Sequence, residues 1–253
     1  YLNHEDVILR LSADMLYTFS NLTLRDAFAA QYAREDVYRC FEKIMKENTS
    51  IEEKASCVFA YYVISIFIHI PPQEEIPPLE QYISYLPIGQ RLFAISLLAH
   101  QTYLKQEYAK AKGIVQGAFF MADGSYPIAM TYLNCVQAMC QINLKEQEEA
   151  IQSVDYAWQR AKLDGFMEPF IEYHGLLQGV LEVCIRKKEP DVYKKLMDGV
   201  IAFSRGWMKI HNPKMQKAVT DLLTPLEYSI AMLACRDWTN QEIAEHMGLS
   251  VNT

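Results

Sequence analysis

The sequence has few residues that interrupt helices. Its 253 residues include ten glycines and ten prolines, and the long runs between them carry apolar residues at three- and four-residue spacing. No run alternates apolar and polar residues between turn signals, which is the pattern of a half-buried strand. The sequence therefore predicts an all-α protein.

An excess of positive charge is also missing. The chain has 24 Lys and Arg against 31 Asp and Glu, which gives a formal net charge of −7. A protein that binds nucleic acid over its whole surface is basic. Any contact with nucleic acid is therefore confined to a small part of this chain or lies outside it.

Signatures of catalysis and of metal binding are absent. The sequence contains no Gly-x-Ser-x-Gly, no Gly-x4-Gly-Lys-Ser/Thr phosphate loop, no paired catalytic carboxylates and no His-x3-His. Its six cysteines show no Cys-x-x-Cys spacing, so we interpret them as reduced, mostly buried thiols of a cytoplasmic protein. We expect neither an enzyme nor a bound metal or cofactor.

Long hydrophobic runs are missing as well. The most apolar stretch, residues 58–70 (VFAYYVISIFIHI), is shorter than the roughly 20 residues that cross a bilayer. It ends at Pro71-Pro72 and acidic residues follow. We therefore expect a buried core helix here, and no membrane partner.

Small apolar residues recur at a fixed offset in the middle of the chain. Ala138 follows Ala99 by 39 positions, and a weaker third copy follows after a further 42. Small residues at fixed positions let paired helices approach closely and stack as hairpins. The pattern Ala-x3-apolar-x2-Ala resembles the tetratricopeptide repeat, with a longer period. The matched positions, copy by copy, are Ala99, Ala111, Val115 and Ala118; Ala138, Ala150, Val154 and Ala157; Val180, Val192, Leu196 and Gly199.

Turn residues divide the chain. Asp-Gly pairs at 123–124 and 164–165 close the first two helix pairs, and the Pro-rich segment 71–78 (PPQEEIPP) is an irregular connector. We therefore predict an N-terminal helical layer over 1–70, tetratricopeptide-like helical repeats over 79–221 and a C-terminal helix pair over 223–253. The predicted helices span about residues 4–20, 24–32, 35–47, 51–69, 78–86, 90–104, 106–121, 127–143, 146–163, 169–187, 190–204 and 212–221.

The C-terminal pair carries strong helix-start signals. Thr224 is followed by Pro225 and Glu227, which is a capping box with Pro at the first helical position. Residues 239–242 (TNQE) repeat the device, and Gly248 suits a left-handed turn that ends the second helix. Ser250 is the N-cap candidate of a third helix. Two short helices and a turn into a third predict a helix-turn-helix.

At this point a family resemblance becomes specific. Residues 223–253 (LTPLEYSIAMLACRDWTNQEIAEHMGLSVNT) resemble the start of the DNA-binding domain of LuxR-type transcriptional regulators. The chain departs from that pattern at Leu226, where Arg is usual, and at Asp237, where Gly is usual. The positions that match are Leu223, Thr224, Glu227, Asn240, Glu242, Ile243, Ala244, Leu249, Ser250 and Thr253.

The resemblance extends to the large regulators in which a tetratricopeptide-like sensor precedes a terminal DNA-binding domain, often behind an ATPase that would lie upstream of Tyr1. It implies that DNA is a partner, that a homodimer forms on it, and that the DNA-binding domain is truncated at Thr253, before the recognition helix. Residues 223–253 contain one basic residue, Arg236, so we expect the chain to bind DNA weakly or not at all without that helix. The candidate DNA-contacting residues are Thr239, Asn240, Ser250, Val251, Asn252 and Thr253.

Tyrosine is abundant, with sixteen in the chain. Tyrosines on the inner helices of a repeat domain would line a groove for an effector, a small molecule or a protein; the edges of buried tyrosines in repeat packing explain most of them equally well. The candidate ligand-binding residues are Tyr103, Tyr132, Tyr173 and His100.

Two functions fit these observations. The first is the sensor and truncated DNA-binding region of a bacterial LuxR-type regulator, in which an effector controls DNA binding. The alternative is a helical-repeat interaction scaffold whose C-terminal helices cap the repeats without touching DNA. The residues that follow Thr253 in the parent gene discriminate between them.

Overall fold

The structure, a computed structural model, describes residues 7–24, 26–46, 49–68, 70–122, 125–211 and 222–251. Helices pack against one another throughout these residues, which contain no strand, so the predicted all-α class of helical hairpins is confirmed. The α-helices are α1 (Val7–Thr23), α2 (Ala27–Lys46), α3 (Ile51–Phe67), α4 (Ile88–Leu104), α5 (Tyr108–Met121), α6 (Pro127–Asn143), α7 (Gln147–Ala161), α8 (Glu168–Glu172), α9 (His174–Leu177), α10 (Pro190–His211), α11 (Pro225–Ala234) and α12 (Asn240–Met247).

The first three helices pack on one another as a layer. Helix α3 begins at a capping box formed by Ser50 and Glu53 and is buried at every residue from Cys57 to Phe67, as expected of a core helix. The two helices predicted over 24–32 and 35–47 are one helix, α2, because no Gly or Pro interrupts the sequence between them. Helix α10 returns to pack against both α2 and α8.

Helices α4 to α7 form two consecutive antiparallel hairpins, and α6 packs against both helices of the first hairpin. The repeated small residues lie where these helices meet, and all eight have 0–1% of their surface exposed: Ala99, Ala111, Val115, Ala118, Ala138, Ala150, Val154 and Ala157. The prediction that these positions pack between helices is confirmed. In the weaker third copy, Val180, Leu196 and Gly199 are buried and Val192 is half-buried.

The turns inside the two hairpins are also equivalent, which the sequence did not indicate. Gln106 and Lys145 occupy matching positions, and both adopt a left-handed conformation with φ of 64° and 65°. The N–H groups of Glu107 and Glu146 then donate to the carbonyl five residues back, at 3.3 and 2.9 Å. The repeat therefore includes its turn geometry as well as its small residues.

Two segments differ from the predicted helices. Residues 78–86, which lie between Pro78 and Pro87, form two short 3-10 turns (Leu79–Gln81 and Ile83–Tyr85) in place of the predicted α-helix. The helix predicted over 169–187 is broken into α8, α9 and a π-helical turn (Glu182–Arg186). Its break follows from left-handed backbone at Gln178 (φ 50°) and Gly179 (φ 84°).

Some of the remaining predicted turns and helices lie within the described residues, and others do not. Gly165 adopts the left-handed conformation expected of an Asp-Gly turn, with φ of 66°. The other Asp-Gly pair and the helix predicted over 212–221 lie outside the described residues. Helix α10 continues past the predicted end at 204 to His211.

The cysteines are free, and all but Cys235 are buried. Burial raises the pKa of the Cys57, Cys140 and Cys184 thiols to about 12, which keeps them protonated and unreactive. In the described part of the chain, His, Cys, Asp and Glu nowhere group as metal ligands, and no helix has the length and apolar character to cross a membrane.

Candidate functional site

Helices α11 and α12 begin as the sequence predicts. The Thr224 hydroxyl accepts from the N–H of Glu227 at 3.3 Å, and the Glu227 carboxylate accepts from the N–H of Thr224 at 2.7 Å. Thr239 and Glu242 form the same reciprocal pair at 3.2 and 2.7 Å. These hydrogen bonds lower the pKa of both glutamates. Both capping boxes are therefore confirmed.

Each helix ends in a left-handed turn. Asp237 adopts φ of 60° between α11 and α12, and Gly248 adopts φ of 60° after α12. The N–H of Leu249 then donates to the Ala244 carbonyl at 2.9 Å, which directs the chain toward Ser250. Asp is one of the non-glycine residues that adopt this conformation with only modest backbone strain.

The candidate DNA-contacting residues do not form one cluster. Thr239 and Asn240 are exposed at the start of α12, whereas Ser250 and Val251 are exposed beyond its end. Helix α12 has eight residues, so about 12 Å separates the two groups. Asn252 and Thr253, and the helix that Ser250 was predicted to open, lie outside the described residues.

The C-terminal helices are docked on residues 174–186 by close backbone packing. A Cβ atom added to Gly179 would lie 2.0 Å from Met247 Sδ, and one added to Gly175 would lie 2.8 Å from Tyr228 Cε1. Tyr228 belongs to α11 and Met247 to α12. The absence of a side chain at both glycines therefore lets each helix approach residues 174–186.

A set of buried polar groups lies in the same contact; we call His174, Gln178, Glu182, Ser229 and His246 the polar seam. His174 Nε2 lies 2.9 Å from Glu182 Oε1, and the Ser229 hydroxyl donates to the same oxygen at 3.1 Å. His246 Nε2 lies 3.1 Å from the Gln178 carbonyl. The seam joins α9 and the π-helical turn to both C-terminal helices.

Two of the buried groups in the polar seam titrate away from their usual range. Burial alone would raise the pKa of Glu182, but the charge of His174 and the hydrogen bonds from His174 and Ser229 hold it below the usual value. Burial lowers the pKa of His246, against the opposing effects of the Gln178 carbonyl and the charge of Glu182. The seam is therefore arranged around an ionised Glu182 and a His246 that resists protonation.

Contacts at the edge of the docked helices involve the repeat turns. Lys145 Nζ lies 3.8 Å from the centre of the Trp238 ring and 3.8 Å from Glu242 Oε1. The Arg236 guanidinium donates to the Tyr103 hydroxyl at 3.4 Å. The basic residue of 223–253 is therefore engaged with the repeats.

The candidate ligand-binding residues form a buried chain of rings. The His100 and Tyr173 ring centres are 5.0 Å apart, with the Tyr173 hydroxyl 3.3 Å from His100 Nδ1, and the Tyr173 and Tyr132 ring centres are 5.8 Å apart. The ring centre of Tyr103 is 6.5 Å from that of His100. The Tyr103 hydroxyl contacts Arg236 and does not line a groove as predicted. Of these residues, Tyr132 lines a cavity walled by aromatic rings, the aromatic cavity, and His100 lines a cleft beside Trp207.

The aromatic cavity has a volume of about 560 Å³ and lies between the N-terminal layer, helices α4 and α6, and residues 166–172. Its wall includes aromatic rings from α1, α3, α4 and α6. Among these rings, only Tyr132 was predicted from the sequence as a ligand-binding residue. Glu172 was also missed, although a glutamate within the apolar run 166–173 (FMEPFIEY) was a signal of a buried carboxylate. The residues that line the cavity include Phe19, Phe93, Tyr126, Tyr132, Phe166, Glu168 and Glu172.

The chain has no match among protein-family models, curated proteins or solved structures.

Proposed function

We propose that this chain is the sensor and partial DNA-binding region of a LuxR-type transcriptional regulator of the cytoplasm, in which an effector controls DNA binding. The observation that carries the proposal is the geometry of α11 and α12. Two short helices with matching capping boxes, a left-handed turn between them and a second one leading into Ser250 are the first parts of a helix-turn-helix. A complete recognition helix after Thr253 would supply the side chains that reach base edges.

The docked arrangement is the DNA-free state in this proposal. Arg236, which could otherwise contact a phosphate, donates to Tyr103, and the glycines at 175 and 179 hold both helices against the sensor. An effector that favours the undocked state over the docked one would shift the population toward DNA binding. Pairing of two released modules on DNA would form the homodimer.

A second function, that of an interaction scaffold, is favoured by one observation. The seam between the repeats and the C-terminal helices is buried and polar, and it covers the end of the repeats as a capping unit would. In that case α11 and α12 stay packed on the repeats.

DNA selection distinguishes the two functions. The chain, and the parent protein extended through a complete recognition helix, are each exposed to a pool of random duplexes at fixed salt, and enriched sequences are titrated by fluorescence anisotropy. We expect the extended protein to enrich one sequence and the 253-residue chain to enrich none. Enrichment by the short chain would place the recognition element elsewhere, and no enrichment by either, with or without effector, would favour the scaffold.

A further inference from the structure

The interior of the aromatic cavity is made of rings. Neighbouring rings meet edge-on: the Phe93 and Tyr132 ring centres are 5.1 Å apart, and those of Tyr132 and Phe166 are 6.2 Å apart. Phe59, Phe93 and Tyr132 are buried. Such a wall favours a further aromatic ring, packed edge-to-face or offset-stacked. The aromatic residues that line the cavity are Phe19, Phe59, Phe93, Tyr126, Tyr132 and Phe166.

The mouth of the cavity has a different character. Thr23, Gln90 and Ser125 line it with uncharged polar side chains, and all three residues are exposed. Ile128, also exposed, adds an apolar side chain there. A bound molecule can therefore keep an uncharged polar group in water at the mouth while its apolar part is removed from water inside.

The charged residues of the wall do not require a charged ligand. The Glu172 carboxylate accepts a hydrogen bond from the Tyr132 hydroxyl at 3.0 Å, and both Glu168 and Glu172 have interaction partners within the protein. The described lining residues include no Lys, Arg or His that could pair with an anion. Burial of an unpaired charge among apolar groups is unfavourable. The wall therefore favours an uncharged molecule.

The size of the cavity suits a small organic molecule. Its volume of about 560 Å³ is within the range of roughly 300–1,000 Å³ typical of small-molecule sites. Protein interiors are close-packed, so apolar spaces of this size are uncommon, and an apolar cavity of about 150 Å³ already binds benzene. A molecule with two rings fills more of the volume than a molecule with one, and its additional contacts with the wall add dispersion energy.

We propose that the aromatic cavity binds an uncharged molecule with two aromatic rings and a hydroxyl or amide group at one end. The rings lie between Phe93, Tyr132 and Phe166, and the polar end lies at the mouth beside Gln90. This inference deepens the proposed function, since the role of the molecule as effector rests on that function, whereas its binding does not.

The cavity is connected to the polar seam through Tyr173. The ring of Tyr132, which lines the cavity, has its centre 5.8 Å from that of Tyr173. His174, the next residue, begins α9 and contacts Glu182 in the seam. A molecule that shifts the Tyr132 ring therefore acts, through one ring contact, on the segment against which α11 and α12 are docked.

Binding is tested by isothermal titration calorimetry on the 253-residue chain without DNA, at pH 7.5. The neutral probe is 2-naphthalenemethanol, and its charged analogues are 2-naphthoate and protonated 2-naphthylmethylamine. We expect saturable binding of the neutral probe and at least about ten-fold weaker binding of both charged analogues. Benzyl alcohol, which has one ring, should bind at least about five-fold more weakly than the neutral probe. No saturable binding of the neutral probe up to its solubility limit, or equal or tighter binding of any of the other three, overturns the inference.

The location of the bound molecule is tested on the same wild-type protein by NMR of 13C-labelled methionine methyl groups. Met15 lines the cavity, whereas Met45 is exposed on α2 and is not among the lining residues. A bound aromatic ring shifts the resonances of nearby methyl groups. The Met15 resonance, assigned with Met15→Leu, should therefore move during the titration, and the Met45 resonance should not. A Met15 resonance that is unchanged at saturation overturns the inference.

A matched pair of variants tests whether binding needs the volume of the cavity. Met15→Trp places a large side chain in the cavity, whereas Leu16→Trp places one at an exposed position of the same helix. We expect Met15→Trp to bind 2-naphthalenemethanol at least about ten-fold more weakly and Leu16→Trp to keep the wild-type affinity. Wild-type affinity in both variants overturns the inference. If Met15→Trp does not fold, the NMR titration of the wild type decides.

Hydrogen exchange of α11 and α12 in the wild-type protein, with and without 2-naphthalenemethanol, reports on the proposed function separately. Faster exchange of these helices when the probe binds supports effector control. Probe binding with unchanged exchange leaves the site in place and contradicts only its role as effector site.

Discussion

The hairpins α4 to α7 and the docked C-terminal helices are held by different chemistry. The hairpins meet at alanines and valines with almost no exposed surface, whereas the docked helices meet residues 174–186 at two glycines and the polar seam. Opening the hairpins would expose apolar surface to water, which is unfavourable at every residue. Opening the seam lets water solvate Glu182 and His174, which offsets part of the loss. The hairpins are therefore held by apolar burial, and the docked helices by a contact that is partly polar.

Removal of the charged centre of the seam should give the largest effect on stability. Glu182→Ala leaves His174, Ser229 and Tyr193 without their shared acceptor, and the loss of one partner of a buried pair costs roughly 3–5 kcal/mol. Urea unfolding measures the change. Glu148→Ala, an exposed glutamate on α7, is the control and should change stability by less than about 0.5 kcal/mol. A loss below about 1 kcal/mol for Glu182→Ala would show that the seam contributes little.

Overpacking of the hairpins comes next. Ala→Leu at any of Ala111, Ala118, Ala150 or Ala157 forces helices apart and should cost roughly 1–3 kcal/mol. Ala109 lies on the exposed face of α5, so Ala109→Leu is the matched control and should change little. Thermal melts that do not change for all four buried positions would show that the repeat register is wrong.

A matched pair of glycines separates backbone strain from close approach. Gly165 and Gly179 both have positive φ, 66° and 84°, so Gly→Ala at either should cost roughly 1–2 kcal/mol of strain. A Cβ at 165 meets nothing within 4 Å, whereas one at 179 meets Met247. We expect Gly179→Ala alone to speed hydrogen exchange in α12. Equal exchange in the two variants would mean that Met247 simply moves aside and docking persists.

A smaller effect is expected from pH. Because the folded-state pKa of His246 lies below the 6.5 of an ordinary histidine, the unfolded chain binds a proton first, and stability falls as pH drops through about 6.5. The lowered pKa of Glu182 adds a second loss of stability as pH falls below 4.5, the pKa of an ordinary glutamate. Asp14, with a pKa raised to about 6, works in the opposite direction.

Comparison of variants isolates the histidine. Asp14 is present in both the wild type and His246→Gln, so the difference between their unfolding free energies from pH 7.5 to 5.5 belongs to His246. We expect the wild type to lose more stability over this range than the variant. Parallel curves would mean that His246 has the same pKa in the folded and unfolded states, so that docking does not lower it.

The features of the fold that could be predicted are those encoded locally. Both capping boxes, the left-handed Gly248 and the buried alanines follow from residue type and spacing, and the structure has them. The α-class follows from periodicity in the same way. Each of these features depends on residues near one another in the chain or on a repeated pattern.

The features that could not be predicted depend on distant contacts. The break at Gln178 and Gly179 lies where α12 packs, and a non-glycine residue at φ 50° has no local sequence signal. Arg236 meets Tyr103 across 133 positions, and the aromatic cavity draws its rings from several helices. The predicted ligand-binding residues therefore lie in a buried chain of rings, and most of the residues that line the cavity were not predicted from the sequence.

The most direct test of the proposed control is DNA affinity after the docking contact is weakened by substitutions outside residues 223–253. Lys145→Gln removes the contacts with Trp238 and Glu242, and Gly175→Ala pushes against Tyr228; both leave residues 223–253 unchanged. Lys110→Gln, an exposed lysine of α5, controls for lost positive charge. The affinity is measured by anisotropy titration of the protein extended through its recognition helix, at fixed salt and on the selected duplex. We expect Lys145→Gln and Gly175→Ala to bind this duplex at least about five-fold more tightly than the wild type and the control do. The preferred DNA sequence should stay the same. Affinity equal to or weaker than that of the wild type in both variants would contradict control by docking.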